Sequence, residues 1–258
     1  MIHQLSSVDP GARIAADVEI GPFTTIYDNV EIGEGTRIAN NVTIFPGARI
    51  GRNCNIFPGA AIGAIPQDLK FRGEETTAII GDNTTLRECV TVNRGTAAKG
   101  RTVVGSNCLL MAYVHIAHDC VIGNNVIISN AAQLAGEVEV DDFAVIGGGA
   151  LIHQFCHLGS YIMLQGGALV NKDIPPYIRA GHEPISFAGI NAVGLKRRGF
   201  SAESIAAIQN IYHYLYLKGM NISDAIAHIE EVLPESKERQ TILDFIKASG
   251  RGIVRAYE

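Results

Sequence analysis

The stretch AYVHIAHDC, residues 112–120, sets His115, His118 and Asp119 within five positions. Imidazole titrates near neutrality, so a histidine beside a carboxylate is suited to take up and return a proton. His118 and Asp119 fit that use as a general base and its companion. The same residues fit two other uses. His115, His118 and His153 are donors of the right type for a zinc ion, and an exposed histidine pair is often merely solvated. A second candidate is QDLK, residues 67–70, which places an acid and a base together. A third is LKRRGF, residues 195–200, whose cations suit a phosphate or an acidic partner.

The elements that must carry these residues are read from a repeat. Aliphatic residues recur every sixth position from Ile2 and Val8 through Ile14, Ile20 and Ile26 to Ile62. The phase returns at Ile80, Leu86 and Val92, and again from Val104 through Ile116, Leu134 and Ile152 to Val170. Four residues after each comes a small or β-branched residue, such as Val18, Thr24, Val42, Ala60, Val114 or Ala132. A helix of period 3.6 cannot keep every sixth residue on one face, and a plain strand of period 2 needs no turn at each step. A short strand plus a corner satisfies both slots, and three such units close a triangular coil. The reading is a parallel β-helix with the periodic aliphatics inward. Glycine directly follows many of them, as at Gly21, Gly51, Gly105 and Gly123, and is assigned the task of easing the corner. In this frame His115 points away from Ile116 and outward, and His118 and Asp119 fall at the next corner. Cys54, Cys108, Cys120 and Cys156 occupy the small slot and are packing residues.

The repeat breaks twice, over 63–79 and 93–103, and both breaks read as loops thrown from a continuous coil. Such loops on a rigid scaffold are common seats of function. Residues 171–200, with three prolines and no period, read as a connecting segment ending in the basic run. Beyond it the pattern is helical. Ser201 caps a helix with Ile205, Ile208, Tyr212 and Leu215 inward. Ser223 caps a second with Ile226, Ile229 and Val232 inward, and Pro234 opens a third through Ile242, Phe245 and Ile246.

Composition bounds the function. The chain has 258 residues and a net charge of −5, which argues against general affinity for nucleic acid or an anionic membrane. No run of about 18 apolar residues and no leader-like N-terminus occurs, so neither secretion nor stable membrane insertion is expected. Five cysteines without a CxxC fit a reducing, cytoplasmic compartment.

The runs QDLK, NRGT, HIAHDC, LAGEVEVDDFAVIGG, HQFC, DIPPY and GLKRRGF together resemble the acyl-ACP–UDP-N-acetylglucosamine O-acyltransferases of lipid A (lipopolysaccharide) biosynthesis, over essentially the whole chain. The hexads alone would point only to the wider hexapeptide transferases. The resemblance implies a mainly β fold: a left-handed parallel β-helix over 1–190, followed by a small C-terminal α-helical domain over 191–258. It implies a homotrimer, no cofactor and no metal. The implied reaction moves a 3-hydroxyacyl chain from acyl carrier protein to the 3-hydroxyl of UDP-N-acetylglucosamine. His118 would be the general base, Asp119 its orienting acid and the Gly136 N–H the oxyanion donor. Asp68, Lys70, His115, His153, Gln154, Asn191, Arg197 and Arg198 would bind the substrates. Gly166 would be the acyl-chain ruler, and a glycine there implies a long donor, about fourteen carbons or more. Three positions depart from the family pattern: Glu137 and Asn93 stand where histidine is common, and Val193 where an acid is. Rival uses of the fold are a later N-acyltransferase, which usually carries a further N-terminal domain, a zinc-dependent γ-type carbonic anhydrase, and a non-catalytic adhesive surface.

Overall fold

The computed structural model describes residues 1–256. Strands of mostly two residues succeed one another at corners, and each pairs in parallel with the strand one coil on. Three faces result, of nine, eight and eleven strands among the described residues. The periodic aliphatic is the second residue of each two-residue strand of the coil and is buried from Ile20 onward. Each such isoleucine or leucine stabilises the coil by about 1.5–3 kcal/mol. At the first coil the inward rule fails. Ile2 is 52 % exposed, and Val8 and Ile14 only half-buried, because no coil of the described residues lies beneath them. The small-slot residues are buried throughout the coil from Val18, and where they are threonines they also bond across the corner. Thr24 Oγ1 donates to the Ala39 carbonyl at 2.7 Å and Thr84 Oγ1 to that of Gly105 at 2.7 Å. Burial pushes the Cys120 thiol up to about 12 and that of Cys156 to about 11, so neither supplies a thiolate at neutral pH.

The corners are built differently from the glycine assignment. Among the glycines that directly follow the periodic residue, only Gly63 takes a left-handed φ, of 81°. The left-handed residue comes two positions later: Asn29, Asn41, Asn53, Asn83, Asn107, Asn125 and, in the same slot, Cys89, Asp119 and Glu137. Asparagine and aspartate tolerate that conformation. The glycines answer to crowding between coils instead. A Cβ on Gly105 would meet the Gly123 carbonyl oxygen at 2.4 Å.

The two excursions are shorter than the breaks in the repeat. Strands Ala61–Ala64 and Thr77–Ile80 flank the first, and Thr91–Asn93 and Arg101–Val104 the second, leaving 65–76 and 94–100 outside the coil. Residues that break the six-residue period still pair: Thr77 with Arg101 and Ala78 with Thr102.

The segment after Val170 is more ordered than a connector. Ile178–Gly181 and Ser186–Ile190 form an antiparallel pair that ends one face. Four helices follow among the described residues: α1 (Ala192–Arg197), α2 (Ala202–Leu217), α3 (Ile222–Val232) and α4 (Lys237–Ala248). Ser201 caps α2, with its side chain accepting from the Ser204 N–H, and Ile208, Tyr212 and Leu215 are buried. The cap of α3 is Asn221, not Ser223, because the Asn221 side chain reaches the Asp224 N–H at 2.9 Å. Ala225 and Ile229 are buried, Ile226 is half-buried and Val232 is 45 % exposed. Pro234 lies before α4, whose cap is Ser236. The helices seat on the coil's end through the Tyr212 hydroxyl, which donates to the Pro176 carbonyl at 2.5 Å, and through Phe245 against His157 at 4.5 Å. No helix of the described residues is long and apolar enough to cross a membrane.

Candidate functional site

One face carries the candidate chemistry. Its outward positions stack in register: Thr91 beside His115, then Gln133, Leu151 and Leu169. A cleft of about 600 Å³ lies over this ladder and the adjoining corner. His115, His118, Gly136, His153 and Gln154 line it, together with Gln67 from the first excursion, Gln133, Leu151, Leu169 and Asn171. The lower part is apolar. Leu151 and Leu169 are large, exposed aliphatics pointing into it.

His118 sits at the corner after Ile116, half-buried. Its Nδ1 lies 2.9 Å from Asp119 Oδ2. The opposite edge faces Gly136, one coil on, where a Cβ would stand 2.7 Å from Nε2. The Gly136 N–H donates to no acceptor among the described residues, while its carbonyl accepts from the Phe155 N–H. An imidazole, a carboxylate and a spare backbone donor therefore lie together, an arrangement that could serve acyl transfer through an oxyanion.

Asp119 lies behind the histidine, 0 % exposed. His115 shares a 2.7 Å hydrogen bond with Thr91 Oγ1, and burial, then the nearby His118, lowers its pKa. His153 is exposed, and its Nδ1 contacts the Gln154 carbonyl at 3.1 Å. His115, His118 and His153 thus have separate partners, and the described residues include no gathered set of three metal-ligating side chains.

Other candidates lie outside the cleft. Asp68 Oδ1 accepts from the Lys70 N–H at 2.9 Å, a turn that leaves the Lys70 side chain exposed beside Gln67 in sequence. Asn191 is buried and engaged: it caps α1 by accepting from the Gly194 N–H, and its Nδ2 donates to the Tyr161 carbonyl at 2.9 Å. It thereby anchors α1 to the end of the coil. Arg197 and Arg198 close that helix, and Arg198 lies over the Phe143 ring at 4.8 Å. Gly166 occupies a corner at the other edge of the site face, its backbone packed against Gly147. Gln165 beside it turns away, its Oε1 accepting from the His182 N–H at 3.3 Å. Of the departures, Asn93 is buried, with Nδ2 donating to the Ile65 carbonyl at 3.2 Å, while Val193 is exposed.

Gln133 and Thr91 were not among the sequence candidates, and Gln67 entered only as part of the run QDLK. Gln133 was findable, because it lies eighteen residues, one coil, beyond His115.

Residues 173–254 match the model for the second domain of UDP-N-acetylglucosamine O-acyltransferase, and residues 11–46 and 101–136 match the bacterial transferase hexapeptide model. The chain is 60 % identical to an acyl-[acyl-carrier-protein]–UDP-N-acetylglucosamine O-acyltransferase of Sulfurihydrogenibium, covering 98 % of this chain and 93 % of that one. It is 44 % identical to the protein of the same name from Thiobacillus denitrificans, over 98 % of this chain and 99 % of that one. A solved UDP-N-acetylglucosamine acyltransferase from Bacteroides fragilis superposes with a TM-score of 0.97 at 54 % identity, over 99 % and 100 % of the two chains.

Proposed function

The chain belongs to the acyl-[acyl-carrier-protein]–UDP-N-acetylglucosamine O-acyltransferases, and on that premise we propose that it moves a 3-hydroxyacyl chain from acyl carrier protein to the 3-hydroxyl of UDP-N-acetylglucosamine, the opening step of lipid A synthesis. Nε2 of His118 takes the proton of the sugar hydroxyl as that oxygen attacks the thioester carbonyl. The tetrahedral oxyanion is stabilised by the Gly136 N–H. Collapse breaks the C–S bond, and the proton held on His118 returns to the departing thiolate of the carrier. Asp119 orients the imidazole and stabilises its protonated form. The observation that carries this reading is the placement of His118 between the Asp119 carboxylate and the bare, uncommitted Gly136.

The remaining assignments follow the chemistry of the side chains. His115, His153 and Gln154 grip the sugar nucleotide and the acyl head from the cleft wall. Asp68 and Lys70 reach from the first excursion, the lysine to phosphate. Arg197 and Arg198, on the helix that Asn191 caps, meet the acidic carrier and its phosphopantetheine arm. The acyl chain lies along the apolar rungs Leu151 and Leu169, with Gly166 marking the far end of the groove. These residues stand on different edges of one chain, so a complete groove needs a second copy, and a homotrimer supplies it.

The direct test incubates the protein with UDP-N-acetylglucosamine and 3-hydroxyacyl-ACPs of several lengths. O-acylated sugar nucleotide is expected with the native protein, and a rate lower by about 10²- to 10⁴-fold with His118→Ala. A folded His118→Ala protein with native turnover would reassign the base. An active monomer in sedimentation would reject the trimer.

A further inference from the structure

The second excursion is built around the Asp119 carboxylate. The Thr96 N–H donates to Oδ1 at 3.0 Å and to Oδ2 at 3.2 Å. The Thr96 hydroxyl reaches Oδ2 at 2.6 Å, and the Lys99 N–H reaches Oδ1 at 3.3 Å. The direction of the hydroxyl bond is fixed. An ionised carboxylate only accepts, so the Thr96 proton lies toward Oδ2, while Oγ1 accepts from the Ala98 N–H at 3.1 Å. The Asp119 N–H in turn donates to Thr102 Oγ1 at 2.8 Å. The excursion is held in shape by the Gly100 N–H on the Thr96 carbonyl at 2.8 Å, and by Lys99 Nζ on Glu139 at 2.8 Å. Thr96 itself is buried, so these bonds form away from solvent.

The clamp has a consequence for His118. Asp119 is surrounded by donors, and its fourth partner is His118 Nδ1 at 2.9 Å. A nitrogen facing an ionised carboxylate must itself carry the proton, which leaves the lone pair of the neutral ring on Nε2, the edge turned to Gly136. Free imidazole populates both tautomers, so the carboxylate must stay fixed if the base is to face the substrate. We propose that Thr96 is a positioning residue for acyl transfer: through its hydroxyl and N–H it holds Asp119 in the pose that keeps His118 in the Nδ1–H tautomer. This rests on His118 being the general base. Loss of tautomer control in a serine-protease triad lowers kcat by about 10⁴-fold, and removal of one clamp bond of several should act more weakly.

The test uses the full-length protein with Thr96→Val, which keeps the shape and the N–H but removes the hydroxyl, and Thr96→Ser, which keeps the hydroxyl. Thr96→Val is expected to lower kcat by about tenfold, the scale of one hydrogen bond to a charged group, with both KM values within about twofold. Thr96→Ser should restore kcat to within about threefold of native. With ¹⁵N-labelled histidine near pH 8, native His118 should show a protonated Nδ1 and a bare Nε2, and Thr96→Val a mixture. Native kcat in folded Thr96→Val, or an Nε2–H tautomer in the native protein, overturns the proposal. The native spectrum decides alone if Thr96→Val does not fold. A clamped Nδ1–H tautomer together with a fully active His118→Ala protein removes the general-base reading and leaves the clamp.

Discussion

A Cβ at position 136 would stand 2.6 Å from Cε1 and 2.7 Å from Nε2 of His118, so the imidazole occupies the space that any side chain there would need. The two residues are one coil apart, and each sets the position of the other. Gly136→Ala is expected to push the ring off its site and weaken the 2.9 Å contact with Asp119. The backbone donor would be misplaced by the same shift. Turnover should fall by about 10²-fold or more, with little change in thermal unfolding because the group displaced is the half-buried imidazole and not the aliphatic core. Steady-state kinetics beside a melting curve checks it, and native kcat in the alanine variant would show that the ring has another place to go.

Lys70 separates binding from chemistry. Its side chain is exposed on the first excursion, outside the residues that line the cleft. Lys70→Ala should raise KM for the sugar nucleotide by about tenfold, the scale of one charge-assisted contact, with kcat nearly unchanged. A fall in kcat at unchanged KM would place the lysine in the transition state instead.

Gly166 tests the length of the donor. A Cβ there would meet only the Gly148 backbone, whose oxygen at 3.2 Å would have to yield slightly. Gly166→Met is expected to shift preference to shorter 3-hydroxyacyl-ACPs without loss of the His118 chemistry. Each buried methylene contributes about 0.8 kcal/mol, or about fourfold in kcat/KM, until the groove is full. A native enzyme that prefers a donor of about ten carbons, or a Met variant with native preference, would remove Gly166 as the ruler.

His157 ties the coil to α4 and brings a pH dependence. Burial, its largest influence, pushes its pKa down, but the hydrogen bond and charge of Asp141, with Glu139 and Asp173, outweigh it and leave the pKa raised above 6.5. A histidine raised in the folded state lends stability in full below its unfolded value, and that share is lost as pH climbs through the folded value. Native protein should therefore exceed His157→Gln in stability most at about pH 6 and least at about pH 8.5, by urea unfolding. Both partners of the 2.9 Å pair are partly exposed, so the difference should stay under about 1 kcal/mol. A larger gap at high pH would contradict the sign.

The β-helix was legible because its period of six lies far from those of helix and strand. Its corners were misread for a physical reason. Glycine signals both a left-handed turn and a close backbone approach, and here the second holds, as Gly105 against Gly123 shows. The left-handed role had its own six-residue period in Phe23, Asn29, Gly35, Asn41, Gly47 and Asn53. The meeting of His118 with Asp119 was legible as adjacency, but not the burial of Asp119 or its capture by Thr96. That contact crosses twenty-three residues through an aperiodic loop. The hairpin at 178–190 and α1 were hidden by prolines that suggested only a connector. The cap of α3 moved two residues because two polar residues, Asn221 and Ser223, competed for it.

The two excursions also bear on how the chain finds its shape. In the plain coil Thr43 pairs with Ala61, eighteen residues on. Where the first excursion intervenes, Ala61 pairs with Thr91, thirty on, and where the second does, Thr77 pairs with Arg101, twenty-four on. Ring-closure entropy grows only with the logarithm of loop length, so these rungs cost about 0.5 and 0.3 kcal/mol more than their neighbours. A ladder that assembles by nearest-neighbour contact absorbs such a delay at one rung without disturbing the next. The first excursion and the carboxylate clamp thus sit on a scaffold where an insertion is nearly free of entropic penalty, and where its length can drift while the coils on either side keep their register.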